Sequence, residues 1–366
     1  MEEYQRPGSA AWSRLGQLSS EQLAGLVSSI GDTPVRRLEF TVDGGREAEL
    51  VLKLEGFNPG GSIKDRTALR LFTGLREQGC LKPGDTVVES TSGNLGVALA
   101  YLARAFGYRF HAVVDPHITA ENLAVLTSLG ARVDIVERPD EHGSFLPARL
   151  ARVRELCAAR PHYVWTNQYG SGLNPLAHYA TTAPEIDTQC GERLQAVIAA
   201  VSTGGTLAGL ARYFREHRPD VVVVAVDVIG SSALGGPLGP RRLNGIGSSR
   251  PSEFLAAGTY DELVYVSDLE AVTSCHELWN RTGIKVGASS GAAIAGAAHL
   301  LARRELTQIA CICPDDGTKY DTSIYQPAWL AKAGLDISQS SAPFSTIRTT
   351  EPSGSRSDSA PRTLAR

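Results

Sequence analysis

A lysine lies in a loop of glycine and proline where a strand is predicted to end and a helix to begin. Residues 58–66 read Asn-Pro-Gly-Gly-Ser-Ile-Lys-Asp-Arg, and Lys64 carries the only amine of the segment. The N–H groups at a helix start form the positive end of the helix dipole, which lowers the pKa of an ammonium group. A neutral amine can form an imine with a carbonyl compound. A surface lysine beside a capping Asp65 is the alternative that the motif leaves open.

Lysine is rare in this chain, so the place of each lysine is informative. The sequence has 36 basic residues, of which six are lysines (Lys53, Lys64, Lys82, Lys285, Lys319 and Lys332). A chain so biased towards arginine would use arginine wherever a positive charge sufficed. We therefore expect a chemical role for Lys64.

Three further segments of small residues open predicted helices. Residues 89–96 read Glu-Ser-Thr-Ser-Gly-Asn-Leu-Gly and offer hydroxyl, amide and backbone N–H groups to an anion such as a carboxylate. Residues 202–206 read Ser-Thr-Gly-Gly-Thr, which suits a phosphate but matches neither common nucleotide-binding pattern. Residues 287–291 read Gly-Ala-Ser-Ser-Gly and open an alanine-rich helix. Ordinary helix capping is the alternative interpretation of residues 89–96 and 287–291.

In this order, the four segments resemble one family of enzymes. Asn-Pro-Gly-Gly-Ser-Ile-Lys-Asp-Arg, Thr-Ser-Gly-Asn, Thr-Gly-Gly-Thr and Ser-Ser-Gly are similar to motifs of cysteine synthase (O-acetylserine sulfhydrylase) and cystathionine β-synthase. The resemblance covers about residues 31–320. It implies the cofactor pyridoxal 5'-phosphate, the α/β fold of fold type II enzymes (tryptophan synthase β-like) and a homodimer. The implied reaction is a β-replacement on an O-activated L-serine.

The resemblance also gives each segment a role. Lys64 would bind the cofactor as a Schiff base and remove the α-proton of the substrate. The other implied cofactor-binding residues are Asn94 at the 3-oxygen, Thr203, Gly204, Gly205 and Thr206 at the phosphate, and Ser289 at the pyridine nitrogen. The residues implied at the substrate carboxylate are Thr91, Ser92, Asn94, Leu95 and Gln168. A serine at the pyridine nitrogen leaves it unprotonated, which in this family favours β-elimination over transamination.

Four departures from the cysteine synthase pattern bear on the substrate. Leu95 replaces a threonine, Ser202 a glycine and Tyr169 a phenylalanine, and Ser-Ser-Arg250 stands where small and aromatic residues are usual. The added donors and cation suit a phosphate leaving group or a dicarboxylate nucleophile better than sulfide. The set resembles the branch that makes N-(2-amino-2-carboxyethyl)-L-glutamate from O-phospho-L-serine and L-glutamate. That product is a precursor of 2,3-diaminopropionate in siderophore and peptide-antibiotic biosynthesis.

On this interpretation Tyr169 and Ser202 contact the substrate, and Arg149 and Arg250 are candidates for its phosphate or for the glutamate side chain. An exposed surface charge is the alternative for each arginine. A cysteine synthase that uses O-acetylserine or O-phosphoserine with sulfide is the alternative activity. A catalytically silent binding or regulatory homologue is the alternative of another class.

Short apolar runs alternate with helical patterns between about residues 47 and 314. Predicted strands are residues 50–54, 86–89, 110–115, 132–136, 197–201, 221–227, 263–266 and 309–313. Predicted helices are residues 65–77, 96–105, 120–129, 147–158, 207–215 and 269–279. The run Val-Val-Val-Val at 221–224 is apolar on both faces, which is typical of a covered parallel strand. The alternation predicts an α/β architecture with two mainly parallel twisted sheets and a cleft between them.

The same patterns suggest a domain organisation. Residues 1–20 are interpreted as an N-terminal arm, either loose or exchanged between subunits. The family resemblance implies that residues 21–63 and 175–335 form a larger cofactor-binding domain, and that residues 64–174 form a smaller, mobile domain that carries the substrate-carboxylate loop. Residues 336–366, rich in Ser, Thr, Pro and Arg, are expected to be a disordered tail.

Composition excludes several classes of partner. A net charge of −3 gives no reason to expect nucleic acid or an anionic membrane. No apolar run approaches the ~18 residues of a membrane span. Residues 1–17 lack the apolar core of a signal peptide, so we expect a cytoplasmic protein. The pair Cys311 and Cys313 could be half of a metal site, but without a second Cys or His pair buried thiols are favoured, and no metal is expected.

Overall fold

The computed structural model describes residues 11–41, 47–141, 143–339 and 346–349. The strands are β1 (Val35–Thr41), β2 (Glu47–Leu54), β3 (Thr86–Ser90), β4 (Arg109–Val114), β5 (Arg132–Ile135), β6 (Tyr163–Trp165), β7 (Ala196–Ala200), β8 (Val222–Val228), β9 (Glu262–Val266), β10 (Gln308–Cys313) and β11 (Thr346–Thr349). The helices are α1 (Ser20–Val27), α2 (Lys64–Glu77), α3 (Asn94–Ala105), α4 (Ala120–Ser128), α5 (Phe145–Ala159), α6 (Leu173–Ala177), α7 (Ala183–Cys190), α8 (Gly205–His217), α9 (Asp268–Thr282), α10 (Ala288–Leu301) and α11 (Pro327–Ala333). A π-helical turn, His178–Thr182, joins α6 to α7.

The larger sheet has the strand order β11-β1-β2-β10-β7-β8-β9. Strands β2, β10, β7, β8 and β9 are parallel, whereas β1 is antiparallel to both β2 and β11. Val224 and Val226 of β8 face a core that includes α9 and α10, while Val223 and Ala225 face a second core with α8. Both faces of the strand are therefore covered, as its apolar run predicted.

The smaller sheet is parallel throughout, with the order β5-β4-β3-β6. Helices α2, α3 and α4 contribute to the core on one of its faces. On the other face, Val88 and Val113 pack against Val153 and Leu156 of α5. The predicted α/β architecture with two mainly parallel sheets is confirmed.

Both ends of the chain differ from the expectation. Trp12, Leu15 and Leu23 are buried in the core of the smaller sheet, so residues 11–27 pack there and not as a loose arm. Residues 1–10 lie outside the described residues. Thr346–Thr349 forms β11 against β1, so the prediction of a disordered tail is wrong for this segment, whose β-branched residues favour a strand. Residues 340–345 and 350–366 also lie outside the described residues.

Two other expectations concern membranes and metals. Among the described residues, no helix combines the length and apolar character needed to cross a membrane. Cys311 and Cys313 are buried in β10, and burial raises the pKa of both thiols. Within the described ranges, no group of three or more His, Cys, Asp or Glu side chains is arranged to hold a metal ion.

A buried ion network fixes the start of α2. Arg66 donates from Nε to Glu55 at 2.7 Å and from Nη2 to Glu185 at 2.6 Å. Lys53 donates to the same Glu185 at 2.6 Å. Burial raises the pKa of Glu185, but the hydrogen bonds and charges of Arg66 and Lys53 outweigh it and bring this pKa to about 2. Because Glu55 follows β2 and Glu185 lies in α7, the network joins α2 to the larger sheet.

We expect Glu185→Gln to lower the free energy of unfolding by about 3 kcal/mol, since removing one partner leaves buried charges uncompensated. Urea unfolding at pH 7 measures this. Glu77→Gln, which breaks the exposed ion pair with Arg70, is the control and should cost less than about 1 kcal/mol. An effect of Glu185→Gln as small as that of the control would contradict the account.

The network also predicts a pH dependence. The pKa of Glu185 in the folded protein lies below the 4.5 of an unperturbed glutamate. The stability that it contributes is therefore present above pH 4.5 and is lost as the pH falls towards about 2. The difference in stability between the wild type and Glu185→Gln should shrink over this window.

Candidate active site

Lys64 is the first residue of α2 and follows a tight turn. Gly61 has φ +73°, a left-handed conformation that glycine adopts without strain, and the Ile63 N–H donates to Pro314 O at 2.7 Å. Within the described part of the chain, the Lys64 amine makes no hydrogen bond or ion pair. Burial lowers its pKa, and the negative charge of Asp315 opposes this effect. Desolvation therefore shifts the amine towards the neutral form that the sequence predicted.

Asp315, which follows β10, contacts three of the four segments that the sequence singled out. Its Oδ2 accepts a hydrogen bond from Asn94 Nδ2 at 2.8 Å. Its backbone forms an isolated bridge with Ser62. A Cβ atom at Gly287 would lie 2.1 Å from Asp315 Oδ1, so a larger residue there would collide with the carboxyl group. The lysine loop, the start of α3 and the start of α10 therefore meet at Asp315.

His178 connects α2, the helix that begins with Lys64, to the segment of residues 202–206. In the π-helical turn, its Nε2 lies 3.0 Å from Thr67 Oγ1 of α2 and 3.3 Å from Thr206 Oγ1 of α8. Its Nδ1 lies 3.0 Å from Thr182 Oγ1. Burial lowers the pKa of His178 well below its usual value, and the charge of Lys64 adds to this. The imidazole is therefore neutral. Its Nε2 can share a hydrogen bond with the hydroxyl groups of Thr67 and Thr206, which links α2 to α8.

The start of α8 has the features of an anion site. Gly204 has φ +91°, and a Cβ atom at Gly205 would lie 2.2 Å from Asn174 Oδ1. Neither position tolerates a side chain easily. The Thr203 hydroxyl accepts from the Gly205 N–H at 3.4 Å, and Thr206 lies in the first turn of α8. Backbone N–H groups and two hydroxyl groups at a helix start can bind a phosphate.

The loop before α3 is held in a tight turn. The Thr91 hydroxyl accepts from the N–H groups of Gly93 at 3.4 Å and Gly96 at 3.1 Å. Asn94 begins α3, and Gln168 Nε2 donates to Ser90 O at 3.0 Å beside the loop. The Leu95 side chain lies in the core of the smaller sheet, so Leu95 can offer only its backbone to a ligand.

One buried carboxyl group supports both this loop and Gln168. Glu89, at the end of β3, accepts hydrogen bonds from Thr166 Oγ1 at 2.5 Å, Gln168 N at 3.0 Å and Trp165 Nε1 at 3.1 Å. It also accepts from Ser90 N at 2.7 Å. Burial raises the pKa of Glu89, and these hydrogen bonds oppose the shift. Glu89 therefore fixes the two parts of the proposed carboxylate site relative to each other.

The residues expected to determine substrate choice lie beside the loop. Arg149 Nη1 donates to Ser92 Oγ at 2.8 Å and pairs with Asp115 at 3.1 Å. With 12% of its side chain exposed, Arg149 is not the free surface charge that was the alternative. The Arg250 guanidinium lies 5.7 Å from the Tyr169 ring centroid. Burial raises the pKa of Tyr169, and the charges of Arg149 and Arg250 oppose it.

The remaining predicted site residues are Ser202, Arg250 and Ser289. The Ser202 hydroxyl donates to Gly247 O at 3.3 Å, which places it beside the loop that leads to Arg250. Arg250 pairs with Glu253. Ser289 is buried at the start of α10, and its hydroxyl group makes no hydrogen bond within the part of the chain that the structure describes.

Comparison with known proteins identifies the family. A family model described as pyridoxal-phosphate dependent enzyme matches residues 26–314. The chain belongs to this family. It is 42% identical over 309 residues to an N-(2-amino-2-carboxyethyl)-L-glutamate synthase of Ralstonia nicotianae, covering 84% of this chain and 91% of the relative. A synthase of the same name from Cupriavidus metallidurans is 39% identical over 311 residues, covering 84% and 91%.

The structural comparison agrees with this assignment. The crystal structure of an O-acetylserine dependent cystathionine β-synthase from Helicobacter pylori matches with a TM-score of 0.76 and 31% identity, over 82% of this chain and 98% of that chain. The predicted membership of the cysteine synthase and cystathionine β-synthase family, with its fold type II architecture, is confirmed. The chain is a pyridoxal-phosphate-dependent enzyme.

The residues present fit this cofactor. Lys64, whose amine is desolvated and has no partner in the described part of the chain, would offer that amine to the aldehyde, and Thr203–Thr206 would offer an anion site to the phosphate. Asn94 Nδ2 carries two hydrogens, of which Asp315 accepts one. The Ser289 hydroxyl is free to meet the pyridine nitrogen. When bound, the cofactor withdraws electrons from the α-carbon of an amino acid.

Sequence reasoning missed four residues of this site: Asp315, Lys319, His178 and Glu89. Asp315 and His178 carry no local signal, because their partners are 221 and 111 residues away along the chain. Lys319 did carry a signal, since it is one of the six lysines of an arginine-biased chain and follows a buried strand and a glycine.

We expect Gly205→Ala to weaken cofactor binding about tenfold or more. The added methyl group would collide with Asn174 beside the proposed phosphate site, and such overpacking costs about 1–3 kcal/mol. Titration of the apoenzyme with pyridoxal phosphate, followed by absorbance, measures the dissociation constant. Gly172→Ala is the control, since a Cβ atom there meets nothing within 4 Å. Equal affinities of the two variants would place the phosphate elsewhere.

Proposed function

We propose that this enzyme catalyses a β-replacement in which O-phospho-L-serine and L-glutamate give N-(2-amino-2-carboxyethyl)-L-glutamate and phosphate. The observation that carries the proposal is the hydrogen bond from Arg149 to Ser92 of the proposed carboxylate loop. The charges of Arg149 and Arg250 also both act on the nearby Tyr169 hydroxyl group. The names of the two relatives at 42% and 39% identity support the same product.

Arg149 has unused capacity for an anion. A guanidinium group has five N–H donors, and in this structure Nη1 serves Ser92 and Asp115. The Nε of Arg149 is buried and has no hydrogen-bond partner among the described residues. Leaving a charged donor unsatisfied is costly, so a phosphate at the β-position of a serine bound to the loop would relieve that cost. The hydroxyl groups of Tyr169 and Ser202 would add neutral donors.

Arg250 is suited to the second substrate. Its guanidinium lies near the Tyr169 ring but belongs to the loop that follows β8. After phosphate has left, a dicarboxylic amino acid needs cationic partners for its carboxylates, and Arg250 and Arg149 are the two cations beside Tyr169. Sulfide would need neither.

The chain's own residues can carry out the proton and bond changes. Residues 91–95 and Gln168 hold the carboxylate of the first substrate, and the Lys64 amine removes its α-proton. The bond between the β-carbon and the phosphate oxygen breaks, with Arg149 stabilising the departing charge. The neutral amine of glutamate then forms a bond to the β-carbon and gives up a proton, which balances the proton that the released phosphate takes up, and Lys64 returns the abstracted proton to the α-carbon.

The proposal includes the organisation of the molecule. Residues 64–174 would form the smaller, mobile domain that closes on the substrate and excludes water, and residues 21–63 and 175–335 the larger cofactor-binding domain. The homodimer, the cytoplasmic location and a role in siderophore biosynthesis belong to the same proposal and rest on the family resemblance.

The double variant Tyr169→Phe and Ser202→Gly tests the leaving group. We expect kcat/KM for O-phosphoserine to fall by about tenfold or more, because each of the two lost hydroxyl donors costs about 1 kcal/mol. Cofactor affinity should not change, since residues 203–206 are untouched. Steady-state kinetics with O-phosphoserine and O-acetylserine, each paired with glutamate or sulfide, measures the effect.

Tyr265→Phe, which removes a hydroxyl from an exposed tyrosine, is the matched control and should leave kcat/KM unchanged. Efficient synthesis of cysteine by the wild type, with no glutamate adduct from O-phosphoserine, would overturn the substrate assignment. The cofactor chemistry of Lys64 would stand in that case.

A further inference from the structure

The side-chain amide of Asn94 is held from two sides by residues of opposite charge. Lys319 Nζ donates to Asn94 Oδ1 at 2.8 Å, and Asn94 Nδ2 donates to Asp315 Oδ2 at 2.8 Å. An ammonium group can only donate and a carboxylate can only accept. The two charged groups therefore determine which way the amide faces.

Both charged groups are themselves fixed. Lys319 Nζ also donates to Gly60 O of the lysine loop at 2.9 Å and lies 4.4 Å from the centroid of the Trp12 ring. Asp315 is buried and accepts a second hydrogen bond from the Tyr320 hydroxyl at 2.6 Å. The arrangement thus joins the loop of Lys64, the start of α3 and the N-terminal segment around one amide.

We propose that Lys319 and Asp315 are positioning residues that orient the Asn94 amide so that the second N–H of Nδ2 is left to donate to the cofactor's 3-oxygen. The inference rests on the proposed role of Asn94 in cofactor binding. If either charged group were lost, the amide could turn and present its oxygen, which cannot donate. Lys319 and Asp315 then act on the cofactor through Asn94.

The charge state of Lys319 supports this role. Burial lowers the pKa of Lys319 to about 8, against the opposing charges of Asp315, Asp65 and Asp316. A neutral lysine amine has a lone pair and can accept a hydrogen bond, so it no longer dictates which end of the amide faces it. An arginine at this position remains charged.

A double-mutant cycle tests the inference on the apoenzyme. The variants Asn94→Ala, Lys319→Met and the combination of both are titrated with pyridoxal phosphate, with the dissociation constant and the wavelength of the bound cofactor as readouts. We expect each single variant to weaken binding about tenfold, as loss of one hydrogen bond of about 1.4 kcal/mol would. In the Asn94→Ala background, Lys319→Met should cause no further loss.

Several outcomes would overturn the inference. Equal losses from Lys319→Met with and without Asn94 would mean that Lys319 acts on the fold or on the cofactor directly. An unchanged dissociation constant for Lys319→Met would mean that it has no positioning role. An unchanged constant and wavelength for Asn94→Ala would instead overturn the proposed role of Asn94, and the inference with it.

Two further variants guard against a loss of folding. Asp315→Asn, which keeps the shape of the side chain, replaces Lys319→Met in the same cycle if that variant fails to fold, and the same coupling is expected. Lys319→Arg should retain affinity and lose the weakening that the wild type shows as the pH rises through about 8. Lys332→Met, at an exposed lysine of α11, is the control and should bind the cofactor as the wild type does.

Discussion

The contacts that the backbone and the carboxyl group of Asp315 make with three separate loops are the interactions on which the arrangement of the site depends. Strands β2 and β10 are parallel neighbours, so the lysine loop and the Asp315 loop leave the sheet at the same edge. Ligands of open α/β sheets bind at this edge. Asp315 then reaches across to Asn94, at the start of a helix on the smaller sheet. Asp315 therefore joins the lysine loop, proposed to bind the cofactor, to the loop proposed for the substrate.

The amines of Lys319 and Lys64 both lie near Asp315, and their different surroundings suit them to different roles. Burial lowers the pKa of both Lys64 and Lys319. Lys319 donates hydrogen bonds to Gly60 O and Asn94 Oδ1, whereas Lys64 has no hydrogen-bond or ion-pair partner within the described residues. The first amine can hold neighbouring groups in place, and the second is free to react. The ion network of Arg66, two residues after Lys64, keeps the reactive amine at the start of a rigid helix.

The sequence predicted the parts of this site that have local signals. Glycine-rich segments between strands and helices located Lys64, residues 91–95 and residues 203–206, and every predicted strand overlaps an observed one. Strand β6 was missed because it has only three residues, and β1 because Arg36, Arg37 and Glu39 interrupt its apolar pattern. Asp315 and His178 could not be found in this way, since only the pairing of distant strands and helices gives them their partners.

Reduction of the holoenzyme with borohydride tests the central claim most directly. The reagent makes the bond between a lysine and the cofactor permanent, and mass spectrometry of the digested protein locates the modified lysine. The account predicts a pyridoxyl group on Lys64 alone. Modification of Lys319, the other buried amine of lowered pKa at the site, with Lys64 unmodified, would contradict the account.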